Sequence, residues 1–283
     1  MIDIDLVIVS NTKSNQREQL SLTKYYRPLI QKGSQANMRV IGHRGARFEA
    51  PENTVTGFRY ALGIGVDGFE LDVHLTSDDQ LVVIHDATLD RTTNGSGNVS
   101  DFTLAEIQAL DARSNFPDWP EPAIVPTLDE VLDVIRETSW IEIEIKTDLP
   151  ERLDKVLPLV VDAIRRFGIE ASVFITSFDP YALEVAKQLA PDVRRGFICK
   201  YEHLNDLDRA VDLGASLIGF PYATGIPEIA ARARELGILR TGWPTNDRES
   251  LERVFELDLD GICTDMPTTI KTWIAERDAS VTA

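Results

Sequence analysis

Positive charge is in short supply in this chain. Its 283 residues carry 29 lysines and arginines against 46 aspartates and glutamates, a formal net charge of −17. Such a surface repels the nucleic-acid backbone and anionic membranes, so neither is expected as a main partner. An anionic substrate then requires a local positive centre: an arginine, a lysine or a bound cation. Cysteine is scarcer still, with only Cys199 and Cys263. Both fall at predicted strands and read as small buried apolar residues in a reducing compartment, not as a disulfide framework. Long hydrophobic runs are missing, since the apolar stretch from Leu6 to Val9 is far too short to span a bilayer. The opening Met1-Ile2-Asp3-Ile4-Asp5 puts acids where a secretory signal needs lysine or arginine. The expectation is a cytoplasmic protein. The glycine-rich dinucleotide fingerprint is also absent.

What remains is ordinary for a globular chain: 43% hydrophobic and 27% charged residues, enough for a large core without disulfide support. Residues 1–38 stand apart as an N-terminal extension, polar and with little apolar periodicity. They are compatible with a disordered arm, an added helix around Leu20 to Ile30, or sequence upstream of the real start codon. From Met38 onward a short apolar run, a polar turn and a helical segment recur. Strands are predicted at 39–42, 68–73, 81–84, 140–145, 172–176, 195–198, 216–220, 238–241 and 261–263. Thr103 with Glu106 and Thr127 with Glu130 are capping boxes, and Asp179-Pro180 and Asp247 are further helix starts. Gly168, Gly214 and Gly237 fall where helices should stop. This repetition predicts a (β/α)₈ TIM barrel over 39–283, with an open doubly wound sheet as the alternative. The run at 81–84 follows the second strand with no room for a helix, which predicts a hairpin-like addition. A small inserted segment then occupies about 86–120.

Alternation along the strands locates the chemistry. In Phe69-Glu70-Leu71-Asp72-Val73 the apolar residues share one face and the two acids the other. Ile141, Ile143 and Ile145 likewise oppose Glu142, Glu144 and Lys146. In a barrel the apolar faces pack on helices, so the acids point inward, where Val, Ile and Leu are usual. Carboxylates gathered there repel one another and lose hydration unless a cation joins them, and Mg²⁺ or Ca²⁺ suits oxygen ligands. The bland alternative is a pair of solvated edge strands. His43 and His85 end predicted strands, the position where barrel active sites are built. His74 reads as a solvated loop residue and His203 as a surface residue opening a helix. Arg44, between flanking glycines, offers a fork for phosphate oxygens; its bland alternative is an ion pair with Glu49 or Glu52. Together these residues suggest metal-assisted chemistry on an anionic phosphate ester.

At these residues the sequence resembles the glycerophosphodiester phosphodiesterase family. The resemblance rests on ordered segments: Gly42-His43-Arg44-Gly45, Pro51-Glu52-Asn53-Thr54, Glu70-Leu71-Asp72-Val73, His85-Asp86 and Leu89-Asp90-Arg91-Thr92-Thr93-Asn94-Gly95. Glu144-Ile145-Lys146, Ser177-Phe178 and the run from Asp260 to Pro267 complete it, over about Val40 to Ile274. The resemblance implies a (β/α)₈ barrel and hydrolysis of glycerophosphodiesters to glycerol 3-phosphate and an alcohol. It implies Glu70, Asp72 and Glu144 as ligands of one divalent cation, Mg²⁺ or Ca²⁺. It further implies His43 and His85 as acid and base, and Arg44 and Lys146 near the phosphate. Either the glycerol 2-hydroxyl attacks phosphorus first, giving a cyclic phosphate, or water attacks directly.

Two segments depart from the family pattern. Trp243-Pro244-Thr245-Asn246 has proline after the tryptophan, so the loop carrying Trp243, a candidate wall for glycerol, is expected to sit differently. Asp78-Asp79 stands where the family commonly has Asp-Gly. Two competing functions are a phospholipase-type phosphodiesterase on intact lipids and a non-catalytic phosphate-binding barrel. The first needs an exposed apolar loop or a basic rim; Leu89, Phe102, Phe116 and Trp119 are scattered among acids. The second would lack part of the residue set, which is complete here. The partner expected is a small glycerophosphodiester, without stable membrane association.

Overall fold

The structure, a computed structural model, describes residues 38–281. The N-terminal extension therefore lies, through residue 37, outside the described residues. The chain runs β1 (Arg39–His43), α1 (Val55–Ile64), β2 (Gly68–Leu75), β3 (Leu81–Val83), α2 (Leu104–Gln108), α3 (Leu128–Ile135), β4 (Trp140–Ile145) and α4 (Pro150–Phe167). It continues through β5 (Val173–Ser177), α5 (Pro180–Leu189), β6 (Arg194–Ile198), α6 (Leu204–Asp212), β7 (Leu217–Pro221) and α7 (Pro227–Glu235). β8 (Leu239–Trp243), α8 (Arg248–Glu256), β9 (Gly261–Thr264) and α9 (Pro267–Val281) complete it. Each strand lies within two residues of its predicted position.

β1 pairs with both β2 and β9, and this closes eight parallel strands into a barrel. The fold is the expected (β/α)₈ barrel. The ninth strand, β3, is antiparallel to the far end of β2, with Val73, His74 and Leu75 opposite Val83, Val82 and Leu81. That partner lengthens β2 by two residues past its predicted end. His74 is therefore a half-buried strand residue, not a solvated loop residue. The β2–β3 turn works without glycine because Asp79 takes a left-handed φ of 56°, which a short polar side chain tolerates. Thr76 Oγ1 donates to Asp78 Oδ1 at 2.6 Å, and Gln80 N donates to Thr76 Oγ1 at 2.9 Å.

Helix starts follow the capping signals. Thr103 and Thr127 each accept from the N3 backbone while Glu106 and Glu130 reach back, and Asp179 and Asp247 cap α5 and α8. The helices then lay apolar stripes on the outward strand faces. On α3, Leu128, Val131, Leu132 and Ile135 are all buried, each contributing roughly 1.5–3 kcal/mol of hydrophobic burial. Inward-facing Ile41, Trp140, Phe174, Leu217 and Cys263 form a separate, smaller cluster inside the barrel. A third cluster, Val82, Ile84, Leu89, Val99, Ile107, Ala112 and Val125, underlies the segment between β3 and α3. Cys263 is buried in β9, whereas Cys199 lies one residue past β6 and is half-buried, a correction to the reading of both as buried. Among the described residues, no helix is long and apolar enough to cross a membrane.

Glycine matters where β2 meets β4. A Cβ on Gly68 would stand 2.3 Å from the Trp140 carbonyl oxygen and 2.6 Å from its Cβ. The carbonyl belongs to the backbone of the neighbouring strand and has little room to give. Gly68→Ala is expected to cost about 2–3 kcal/mol, whereas Gly63→Ala, at an exposed position of α1 with nothing within 4 Å, should add up to about 1 kcal/mol. Urea denaturation of both variants checks this; equal effects would mean that the β2–β4 contact yields.

Candidate active site

The site forms where the strands end. β1 terminates in His43, and the chain turns back at once through Arg44 (φ 53°) and Gly45 (φ 90°). Only glycine fits at position 42, since a Cβ there would lie 2.1 Å from the Gly45 carbonyl oxygen. The turn hangs the Arg44 backbone N–H on the Glu70 carbonyl at 3.0 Å. The Arg44 side chain, 6% exposed, reaches Glu52 at 3.0 Å and Asp72 at 3.3 Å. The ion pair with Glu52 thus exists, inside the site.

β2 and β4 run in register, with Glu70 opposite Glu142 and Asp72 opposite Glu144. All four acids are buried. Glu142 accepts the Trp140 indole N–H at 2.7 Å; burial, seconded by the Glu144 charge and opposed by that bond, moves its carboxyl up to about 7. Glu70, Asp72 and Glu144 form a trio with one oxygen from each, all within 4.8 Å of one another. Burial, then the Asp72 and Glu144 charges, push Glu70 well above the usual carboxylate range, and Glu144 is raised by burial and Asp72. Burial would raise Asp72 too, but Lys146 and Arg44 hold it low. Lys146 Nζ sits 2.7 Å from Asp72 and 2.6 Å from Glu144. Among the described residues Glu70 Oε1 is buried without a hydrogen-bond partner. Such a set suits a hard divalent cation.

Each histidine is backed by a carboxylate. His43 Nδ1 lies 2.6 Å from Asp265 Oδ1, and its Nε2 is 3.7 Å from Glu70. His85 Nδ1 lies 2.6 Å from Asp86 Oδ1. An ionised carboxylate only accepts, so each ring donates from Nδ1 and keeps Nε2 free. Burial lowers both rings, against the Asp265 bond at His43 and the Asp72 charge at His85. His74 Nε2 is 3.1 Å from the His85 carbonyl oxygen and fixes the chain there. His203 is exposed at the start of α6, as expected.

The structure therefore gathers Arg44, Glu70, Asp72, Glu144, Lys146 and His43, with His85 within electrostatic reach of Asp72. Trp243 ends β8 and packs edge-on against Phe178, ring centroids 5.8 Å apart. Past Pro244 the loop is anchored by Thr245 N to the Cys263 carbonyl at 2.9 Å and by Asn246 Nδ2 to Asp265 at 2.7 Å. Sequence reasoning assigned no role to Asp265, Asp86, Asn53 or Asn246. Asp265 directly follows β9, the strand beside β1, and Asp86 directly follows His85; those positions were the available signal.

A family model described as the glycerophosphoryl diester phosphodiesterase family matches residues 43–269. The chain belongs to this family. Membership brings the reaction class, hydrolysis of a phosphoric diester, and makes the chain an enzyme. A glycerophosphodiester phosphodiesterase of Caldanaerobacter subterraneus subsp. tengcongensis is 38% identical over 235 residues, 82% of this chain and 95% of that relative. The solved glycerophosphodiester phosphodiesterase of Agrobacterium tumefaciens is 32% identical, with a TM-score of 0.72 over 82% of this chain and 98% of its own. A phosphodiesterase of Oleispira antarctica, solved with the product sn-glycerol-3-phosphate, is 25% identical with a TM-score of 0.78, covering 85% and 98%.

Asp265 gives this family member a stability test. Burial would raise its carboxyl, but the His43 bond, the His43 and Arg47 charges and the Asn246 bond hold it below its ordinary 3.8. A depressed carboxyl contributes stability that is complete above 3.8 and lost as pH falls through the folded value. Asp265→Asn should lose about 1–3 kcal/mol at neutral pH, and the gap to wild type should narrow below pH 3.8. A gap that is flat with pH in urea melts would contradict the account.

Proposed function

We propose that the chain hydrolyses small, soluble glycerophosphodiesters to glycerol 3-phosphate and an alcohol, with one divalent cation, Mg²⁺ or Ca²⁺. The observation that carries this reading is the buried trio Glu70, Asp72 and Glu144, with its unpartnered Glu70 oxygen, beside two carboxylate-backed histidines. Those three acids are the proposed cation ligands. A bound divalent cation supplies charge neutralisation at the phosphoryl oxygens. Arg44 and Lys146 bind the same oxygens, and each must share its present carboxylate partners to do so. His43 and His85, whose pKa values burial lowers, work through Nε2. One takes the proton of the attacking group, the glycerol 2-hydroxyl or a water. The other, once protonated, gives a proton to the departing alcohol oxygen, so the P–O bond breaks without releasing an alkoxide. Trp243, packed on Phe178, offers an apolar wall to glycerol.

A small soluble substrate also fits the surface. Leu89 is buried, and Phe102, Phe116 and Trp119 are half-buried, so the inserted segment turns its apolar side chains inward. Past the strand ends, the Arg47 guanidinium lies over the ring of exposed Phe48, and exposed Phe178 meets Trp243 edge-on. Two free cysteines suit work in the reducing cytoplasm.

Glycerol 3-phosphate release from glycerophosphocholine is the test. Release should require Mg²⁺ or Ca²⁺, stop with chelator, and fall at least about 100-fold in His43→Ala or His85→Ala. Glu70→Gln should weaken cation binding in calorimetry by about 10-fold or more. Metal-independent release, or activity that survives both histidine changes, would overturn the mechanism.

A further inference from the structure

The two histidines are mounted differently. Asp265, behind His43, is fully buried and also holds Arg47 and Asn246. Asp86, behind His85, has a side chain 31% exposed. Among the described residues its carboxylate takes hydrogen bonds from His85 and Arg91 alone. Arg91 belongs to the segment after β3 and engages two carboxylates at once. Its Nε and Nη2 reach Asp86 at 2.7 and 3.2 Å, while its Nη1 and Nη2 reach Glu52 at 2.6 and 2.9 Å. Glu52 in turn holds Arg44 Nη1 at 3.0 Å. The result is an unbroken line from the His85 ring through Asp86, Arg91 and Glu52 to the Arg44 guanidinium.

We propose that Arg91 is a positioning residue for hydrolysis: through Asp86 and Glu52 it fixes the His85 ring relative to the Arg44 guanidinium. The planar fork is what the position needs. One guanidinium can grip two carboxylates along two of its edges, which a lysine ammonium cannot reproduce. Without Arg91, Asp86 is free to swing into solvent and release the ring, and Glu52 keeps only Arg44. The attack geometry loosens while the phosphate-binding groups stay in place, so turnover suffers more than binding.

This inference rests on the proposed role of His85 in proton transfer, and the experiment separates the two. Steady-state kinetics on glycerophosphocholine would compare wild type, Arg91→Ala, Arg91→Lys, His85→Asn and the double variant His85→Asn/Arg91→Ala. Arg91→Ala is expected to lower kcat about 100-fold and to change KM less than about threefold. Arg91→Lys should not recover the loss, whereas added guanidinium ion should restore part of it in Arg91→Ala. If Arg91→Ala does not fold, Arg91→Lys carries the same kcat test. In the His85→Asn background, removal of Arg91 should cost little more, since it acts through that ring. The inference fails if kcat is unchanged in folded Arg91 variants, if the loss falls on KM, or if it is undiminished without His85. Full activity in His85→Asn would instead overturn the role of His85 itself.

Discussion

Glu70, Asp72 and Glu144 face one another inside the barrel, and like charges there repel with little water to screen them. At 4 Å and an effective dielectric of 20, two such charges repel by about 4 kcal/mol. Much of the surrounding arrangement answers that repulsion. Lys146 lies between Asp72 and Glu144, Arg44 between Asp72 and Glu52, and Asn53 donates to Asp72 at 2.8 Å. Asp72 therefore holds its charge, while burial and its neighbours push Glu70 and Glu144 towards protonation. A divalent cation held by the three carboxylates, as proposed, would offset this repulsion.

The barrel supplies the rest of the arrangement by layering. Its lower interior is built on aromatic rings, with Trp140 and Phe174 in tilted contact at 4.7 Å and the Arg39 and Arg194 guanidinium groups over them. The charged layer stands above, towards the strand ends. Glu142 marks the boundary: it shares the inward face of Glu144 but spends an oxygen on the Trp140 indole. Position along the strand thus separates a carboxylate bonded to the barrel's own tryptophan from those proposed for the chemistry, on one face.

Strand alternation made the inward acids legible, because period two admits no other placement of Glu70 and Asp72 once Phe69 and Leu71 are buried. Glycines and caps marked the helix ends. The turn at His43 could be suspected from its flanking glycines but not drawn. Contacts that depend on register and closure were out of reach: Asp265 meets His43 across 222 positions of sequence. The hairpin-like addition was legible, but not that its pairing carries β2 two residues further, through His74 to Leu75. Past Pro244, Asn246 reaches the carboxylate behind His43, a contact no local pattern showed.

The apolar cluster under the inserted segment is distinct from the barrel core and rests on β3. Segments with their own small core open as cooperative units below the global unfolding free energy. His85, Asp86 and Arg91 all belong to this stretch or its edge. Local opening would withdraw one half of the proposed acid–base pair while every barrel strand stays paired, so inactivation by heat or denaturant can run ahead of the loss of secondary structure.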